Sequence, residues 1–291
     1  MHLNRFAMSL IAVAMTVAAV STAPGATVAY WQFDEGTPGN DATTVVTQVN
    51  SPALDGTGVN DGGGLPDFSS EVPFGTVYSS GSVVNASNTG ALSINNTGLP
   101  GNVGSHSTGV IQVDGSNALV KQTTFTIELF VKFDLFAEFA GIIGKERNDN
   151  GGCSWQIDTD GTGKLRVRFD TQALGTGGNG VSGYNQSWTS NFVITDGQWH
   201  HVALTYDETN RTFALFADYA QRATGQTAFN LVYDDDVFEI GHVAGRGFDG
   251  WVDEVRLSDT VLAPSQFLAI PEPASLTLLA PALLMVARRR R

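Results

Sequence analysis

Carboxylates and histidines are the residues of this chain best able to do chemistry. Two acidic clusters stand out, Asp234-Asp235-Asp236 with Glu239, and Asp253-Glu254. A glycoside-cleaving centre needs two carboxylates about 5–10 Å apart across a cleft. The first cluster reads as a turn leading into a strand. In the second the two residues are adjacent, and neighbours on a strand are expected to point to opposite faces. His200 and His201 are adjacent in the same way, and neither a Gly-x-Ser-x-Gly turn nor a His-Glu-x-x-His helix accompanies them. Asp158-x-Asp160-Gly161 starts like a calcium loop, but apolar strand patterns flank it and no glutamate closes it, so it reads as a hairpin turn. The single cysteine, Cys153, stands beside Gly151-Gly152 in what reads as a loop. One cysteine excludes an intrachain disulfide and a cysteine-based zinc site. No catalytic residue is assigned, and a non-catalytic protein is expected.

Binding chemistry has a better candidate. Residues 175–191 form a Gly/Asn-rich stretch that nevertheless carries Tyr184, Asn185, Gln186 and Trp188. Aromatic rings stack on the CH faces of sugars and side-chain amides bond their hydroxyls, and loops seldom carry large aromatics without a use for them. Tyr184, Asn185 and Trp188 are therefore the candidate glycan-binding residues, against the alternative that Trp188 closes the rim of a core. Trp31, Trp199 and Trp251 sit within strand patterns and are expected in the core.

The elements that must position these residues are strands. Helical periodicity is nearly absent, while period-2 segments recur between Gly, Asn and Asp clusters. Residues 125–133 set Phe125, Ile127, Leu129, Val131 and Phe133 against Thr126, Glu128, Phe130 and Lys132. Further strands are expected at 28–33, 155–157, 165–169, 199–206, 211–218, 237–240 and 250–257. Residues 36–115 are rich in Gly, Ser, Asn and Thr and read as long loops with short strands near 75–78 and 108–113; a separate linker is the alternative. An all-β sandwich or barrel follows.

Both ends read as addresses. Residues 1–26 have the form of a secretory signal: Arg5, an apolar run over 6–20, then small residues, with no charge before Asp34. The C-terminus runs Pro271-Glu272-Pro273, an uncharged apolar stretch over 274–287, then Arg288, Arg289, Arg290 and Arg291. That stretch is shorter than the roughly 20 residues of a stable span, and terminal arginines would hold its end on the cytoplasmic side. Transient membrane insertion is expected.

The 291 residues carry a formal net charge of -13, which excludes a nucleic-acid binder, since that function needs a basic face. Without Arg5, the four terminal arginines and Glu272, residues 27–270 keep 11 basic and 28 acidic residues, net -17. Such a surface favours a neutral glycan partner unless calcium bridges an acidic one.

Two resemblances follow from these motifs. The C-terminal 21 residues, 271–291, resemble the PEP-CTERM sorting tail of Gram-negative bacteria that make exopolysaccharide. That resemblance implies an exosortase as processing partner, alongside signal peptidase, and a final location at the cell surface, outer membrane or extracellular matrix. The second resemblance rests on four segments in order. They are Val28-Ala29-Tyr30-Trp31-Gln32-Phe33-Asp34-Glu35-Gly36, Phe125-Thr126-Ile127-Glu128, Asp196-Gly197-Gln198-Trp199-His200-His201-Val202-Ala203, and Phe248-Asp249-Gly250-Trp251-Val252-Asp253-Glu254-Val255-Arg256-Leu257. This order is similar to laminin-G-like jelly rolls of the concanavalin A-like lectin/glucanase group. It implies one antiparallel jelly-roll β-sandwich over 27–270. The first and last strands would pair, bringing Phe33-Asp34 near Trp251–Asp253. Calcium is the cofactor this implies, with Asp34 and Asp253 as candidate ligands. The Glu-x-Asp-x-Glu run of the group's laminarinases is absent. The resemblance therefore implies binding of carbohydrate or matrix polymer, with a protein-binding adhesive module as alternative and a hydrolase with an unrecognised site as the second.

Overall fold

A computed structural model describes residues 25–62, 64–77, 86–94, 109–134, 136, 138–147, 152–173, 183 and 185–268. The expected signal segment up to residue 24, the sorting tail and its apolar helix, and Tyr184 lie outside the described residues. Among the described residues, no helix is long and apolar enough to cross a membrane.

The described elements are strands and two short 3-10 turns. In chain order the strands are β1 (Thr27–Trp31), β2 (Thr44–Val45), β3 (Gly56–Asn60), β4 (Asp67–Ser69), β5 (Thr76–Val77), β6 (Ala86–Ser87), β7 (Ala91–Ile94) and β8 (Gly109–Val113). Then come β9 (Phe125–Phe133), β10 (Gly141–Glu146), β11 (Cys153–Thr159), β12 (Lys164–Phe169), β13 (Gln186–Val193) and β14 (Trp199–Asp207). The last are β15 (Thr212–Ala217), β16 (Ala220–Gln226), β17 (Phe238–Ile240), β18 (His242–Val243), β19 (Arg246–Gly247) and β20 (Gly250–Ser258).

Two antiparallel sheets of eight strands each face one another, as in a jelly-roll sandwich. One runs β16-β15-β14-β9-β20-β7-β4, with β1 also paired to β20. The other runs β13-β12-β11-β10-β17-β8-β3-β2. Strands from the Gly/Ser-rich 36–115 region take places in both sheets: β4 and β7 in the first, β2, β3 and β8 in the second. The first strand pairs with the last, Trp31 opposite Val255.

Period-2 alternation explains the core. Phe125, Ile127, Leu129, Val131 and Phe133 all point between the sheets, where they meet Trp155, Ile157, Val167, Phe169 and Phe238 of the opposite sheet. Phe125 lies 5.1 Å from Trp155, and Trp31 stacks on Phe238 at 5.7 Å, ring centroid to centroid. The even residues of β9 differ from a solvated face, because Thr126, Glu128 and Phe130 are buried too. A C-terminal strap, residues 259–268, covers them. Thr126 Oγ1 donates to the Thr260 carbonyl at 2.7 Å and accepts from Leu262 N at 2.9 Å, and Glu128 Oε2 accepts from Leu268 N at 2.7 Å.

Close backbone approach fixes the start of β20. A Cβ on Gly250, whose φ is +155°, would lie 2.0 Å from the Lys132 carbonyl oxygen across the β9–β20 pair. Gly250→Ala is therefore expected to cost about 1–3 kcal/mol of unfolding free energy, read by urea denaturation. A cost below about 0.5 kcal/mol would show that the pair relaxes freely.

Further along β20, a bulge breaks the alternation. The register with β9 shifts between Asp253 and Arg256, and Glu254 takes a left-handed φ of 53°. Val252 and Val255 both reach the core, so Asp253 and Glu254 share the outer side of the sheet. The expectation that they face opposite ways fails because of this extra residue. For His200 and His201, on unbroken β14, opposite faces are observed: His200 pairs opposite the core residue Val131, His201 opposite Phe130 on the outer side.

Candidate functional site

The outer face of the first sheet carries two rows of side chains set by register. Trp199, Lys132 and Trp251 occupy one row across β14, β9 and β20; His201, Phe130 and Asp253 occupy the next. Trp199 and Trp251 are therefore not core residues, contrary to the expectation. They are out of phase with Val202 and Val252, which are core. Trp251 stays half-buried, with Lys132 Nζ 4.9 Å from its ring centre and its Nε1 donating to Ser69 Oγ at 3.2 Å.

A cavity of about 300 Å³ opens beside Trp199. Phe130 forms its floor, with Phe74 packed edge-on at 4.8 Å. Trp199, His201 and Tyr219 form walls, and Tyr219 stacks on the His201 ring at 4.6 Å and 8°. Gln198 and Asp218 complete the lining with polar groups.

Two tight turns aim these residues. Asp196 Oδ1 accepts from Gln198 N at 2.9 Å, and Gly197 adopts φ 80°, so the chain bends sharply just before Trp199. The β15–β16 hairpin turns on Asp218 and Tyr219 alone, with left-handed φ of 50° and 63°. A two-residue turn of this hand usually takes Asn and Gly. Aspartate and tyrosine there carry backbone strain, which concentrates at ligand-contacting positions.

Two wall residues keep an unspent polar atom. Trp199 Nε1 and His201 Nδ1 are buried and have no hydrogen-bond partner among the described residues. An unsatisfied buried group costs about 1–3 kcal/mol, so it needs a compensating reason. The other ring nitrogen of His201, Nε2, is 2.9 Å from Glu128 Oε2. Glu128 Oε1 in turn accepts from Arg256 Nε at 2.8 Å, and Arg256 Nη2 reaches the Gln266 carbonyl at 2.8 Å. Burial alone would raise the Glu128 carboxyl, but the His201 hydrogen bond and the Arg256 charge hold it below the usual glutamate range. One buried carboxylate thus fixes a cavity wall and the C-terminal strap together.

The residues singled out from the sequence sit elsewhere. Asn185 is exposed at the start of β13, its Oδ1 accepting from Arg168 Nε at 2.8 Å. Trp188 is half-buried, 5.9 Å from Phe169 and 4.8 Å from Phe213, and packs against the main core. Asp34 and Asp253 converge on one turn, residues 88–90. Asp34 Oδ1 accepts from Thr89 N and Gly90 N, each at 2.7 Å, and Asp253 Oδ2 accepts from Asn88 Nδ2 at 2.7 Å. Burial pushes the Asp253 carboxyl well up, and it pushes its neighbour Glu254 up to about 8. Asn88 Oδ1 and Glu254 Oε1 are buried acceptors without a partner. This set is all oxygen, the donor chemistry calcium takes, yet among the described residues no group of three or more acidic, histidine or cysteine side chains is placed to hold a metal.

The second sheet's outer face holds the other carboxylates. Glu146 Oε1 accepts from Ala244 N, while Glu239 bonds Gln112 Nε2 at 2.9 Å and His242 Nδ1 at 3.0 Å. Burial first and the Glu239 charge second push Glu146 up to about 8. Asp158 accepts from Arg166 Nε at 2.8 Å and Nη2 at 2.6 Å, a bidentate pair within the hairpin. Cys153 is a buried free thiol at the first position of β11, not a loop residue.

Residues 104–266 match the family described as the concanavalin A-like lectin/glucanases superfamily (Laminin_G_3), and the chain belongs to that superfamily. Solved structures share its fold at low identity. The botulinum neurotoxin type C structure described as dependent on two ganglioside molecules for cell entry has a TM-score of 0.53 and 12% identity, covering 82% of this chain and 49% of that one. The binding domain of botulinum neurotoxin DC in complex with rat synaptotagmin II has a TM-score of 0.52 and 10% identity, covering 82% and 49%. The receptor binding domain of botulinum neurotoxin type G gives 0.50 and 10%, with the same coverage of 82% and 49%. This chain therefore spans about half the length of these three structures. No curated protein matches it.

Proposed function

We propose that this is an exported, non-catalytic binding protein whose ligand is carbohydrate or a matrix polymer. The observation that carries this reading is the aromatic cavity on the outer face of the first sheet, with unspent nitrogens on Trp199 and His201. Aromatic faces with a few polar groups are what a hydroxyl-rich ring requires. The superfamily hosts both lectins and glucanases, so fold alone leaves the choice open. Binding is favoured because Glu128, Glu146, Glu239 and Asp158 are tied to structural partners. Under this reading a signal peptidase removes residues 1–26. An exosortase then acts on the tail that begins at Pro271-Glu272-Pro273 and ends at Arg288–Arg291. The product resides at the surface or in the matrix of a Gram-negative bacterium. Calcium would take its oxygens from Asp34, Asp253 and Asn88. The stretch with Tyr184, Asn185 and Trp188 would supply a second contact area.

A protein-binding module is the second reading, favoured by the similar fold solved with synaptotagmin II. A glycan array on the intact protein, run with calcium and then with EDTA, separates the two. Binding of specific glycans is expected. Loss in EDTA would assign calcium a part in recognition, and persistence would remove it. A blank array from folded protein in both conditions would sink the carbohydrate reading in favour of a protein partner.

A further inference from the structure

The cavity also carries information about which part of a glycan it accepts. We propose that it is a single-ring site for the terminal, uncharged pyranose of a glycan chain. This deepens the carbohydrate-binding reading and rests on it.

Three observations lead there. The first is size: about 300 Å³ is the lower limit of small-molecule sites and suits one ring rather than a run of them. A chain end fits such a space, whereas an internal residue brings a ring on either side that the volume does not hold. The edge-on Phe130–Phe74 pair and the stacked Tyr219–His201 pair both line it.

The second is charge. Among the described residues, Asp218 is the one ionic side chain lining the cavity beside His201, and neither lysine nor arginine lines it. The cation nearest in register, Lys132, is engaged with Glu71 at 2.8 Å and lies over Trp251. A uronate or sulfate would sit beside the Asp218 carboxylate with no lysine or arginine among the described lining residues to receive it, within residues 27–270 that already carry net -17. A neutral ring incurs no such penalty, and its hydroxyls can donate to Asp218.

The third is the pair of unspent nitrogens. Trp199 Nε1 donates only, so it asks for an acceptor such as a ring or hydroxyl oxygen. His201 Nδ1 has the opposite need: with Nε2–H given to the Glu128 carboxylate, Nδ1 of the neutral ring accepts, and a ligand hydroxyl can donate to it. One hydroxyl-bearing ring carries both an acceptor for Trp199 and a donor for His201, the two lining residues whose nitrogens lack a partner among the described residues. The strained Asp218-Tyr219 turn places the remaining polar contacts at the same ring.

The test uses the intact protein and tryptophan-fluorescence titration. The probes are methyl glycosides of neutral hexoses and pentoses, the matching uronic acid glycosides, and oligomers of one to six units of each neutral sugar. One neutral methyl glycoside is expected to bind within about threefold of its own oligomers, and its uronate at least about tenfold more weakly. Trp199→Phe keeps the ring but removes the N–H, and should weaken binding about tenfold. Gln198→Ala, at an exposed position that leaves the fold intact, should weaken it about threefold. Affinity that climbs steadily with oligomer length would overturn terminal recognition while leaving the carbohydrate function standing. Equal or tighter uronate binding would overturn the neutral-ring assignment. Unchanged affinity in both variants would move the ligand out of this cavity. If no sugar binds at all, the underlying reading fails, and that result is distinguishable from each of the others.

Discussion

Glu128→Ala is expected to lower the unfolding free energy by about 3–5 kcal/mol, the range for removing one partner of a buried ion pair. Glu128 is fully buried, and its carboxylate meets Arg256 Nε, His201 Nε2 and Leu268 N. Truncation leaves the Arg256 charge, itself 2% exposed, without its carboxylate, and frees the Leu268 end of the strap. Urea denaturation at neutral pH measures the loss. Because what dominates is the stranded charge, the paired replacement Glu128→Leu with Arg256→Met should recover most of it. A loss below about 1 kcal/mol for Glu128→Ala would mean that water solvates the site and that the strap is not held there. The wild-type group also has a sign in pH. Its folded pKa is depressed, so its stabilisation is present above the ordinary glutamate pKa and disappears as pH falls through the folded value.

Glu146→Gln should act in the opposite direction, stabilising the protein by a few kcal/mol at pH 8 while changing little at pH 4.5. Glu146 has its folded pKa raised from 4.5 to about 8 by burial and by Glu239. A carboxyl whose folded pKa is raised favours folding below its unfolded pKa, and that advantage is lost as pH rises through the folded value. Between about pH 4.5 and 8 the wild-type protein must either retain a proton on Glu146 or bury a charge beside Glu239. Glutamine keeps the acceptor for Ala244 N and carries no charge. Unfolding curves at pH 5, 6.5 and 8 should therefore show a downward slope in the wild type that becomes shallower in the variant, the raised Glu254 and Asp253 keeping the remainder. Parallel slopes for the two proteins would remove Glu146 as the source.

Much of the sandwich was legible before any coordinates. The alternation in residues 125–133 placed every odd residue in the core, and the order of four motifs implied that the first and last strands pair, as Trp31 and Val255 do. Trp199 was misplaced although the signal was present: it is out of phase with Val202, Leu204 and Tyr206, the core residues of its own strand. Strand propensity had outweighed phase. Phe74, Gln198 and Tyr219 gave no comparable sign, since they come from two loops and a hairpin turn whose contacts depend on distant chain.

The amino-acid pattern by itself determined the all-β class, the inward face of β9 and the acidic surface, because those depend on residue type and a period of two. Tertiary structure alone decided which outward residues meet. Register set Trp199, Lys132 and Trp251 in one row. The bulge at Glu254 turned two adjacent carboxylates to one side. The strap buried Glu128 with Arg256 and His201. The row and the buried cluster each join residues more than 50 positions apart, and a contact across that distance is fixed by sheet order and packing rather than by local spacing.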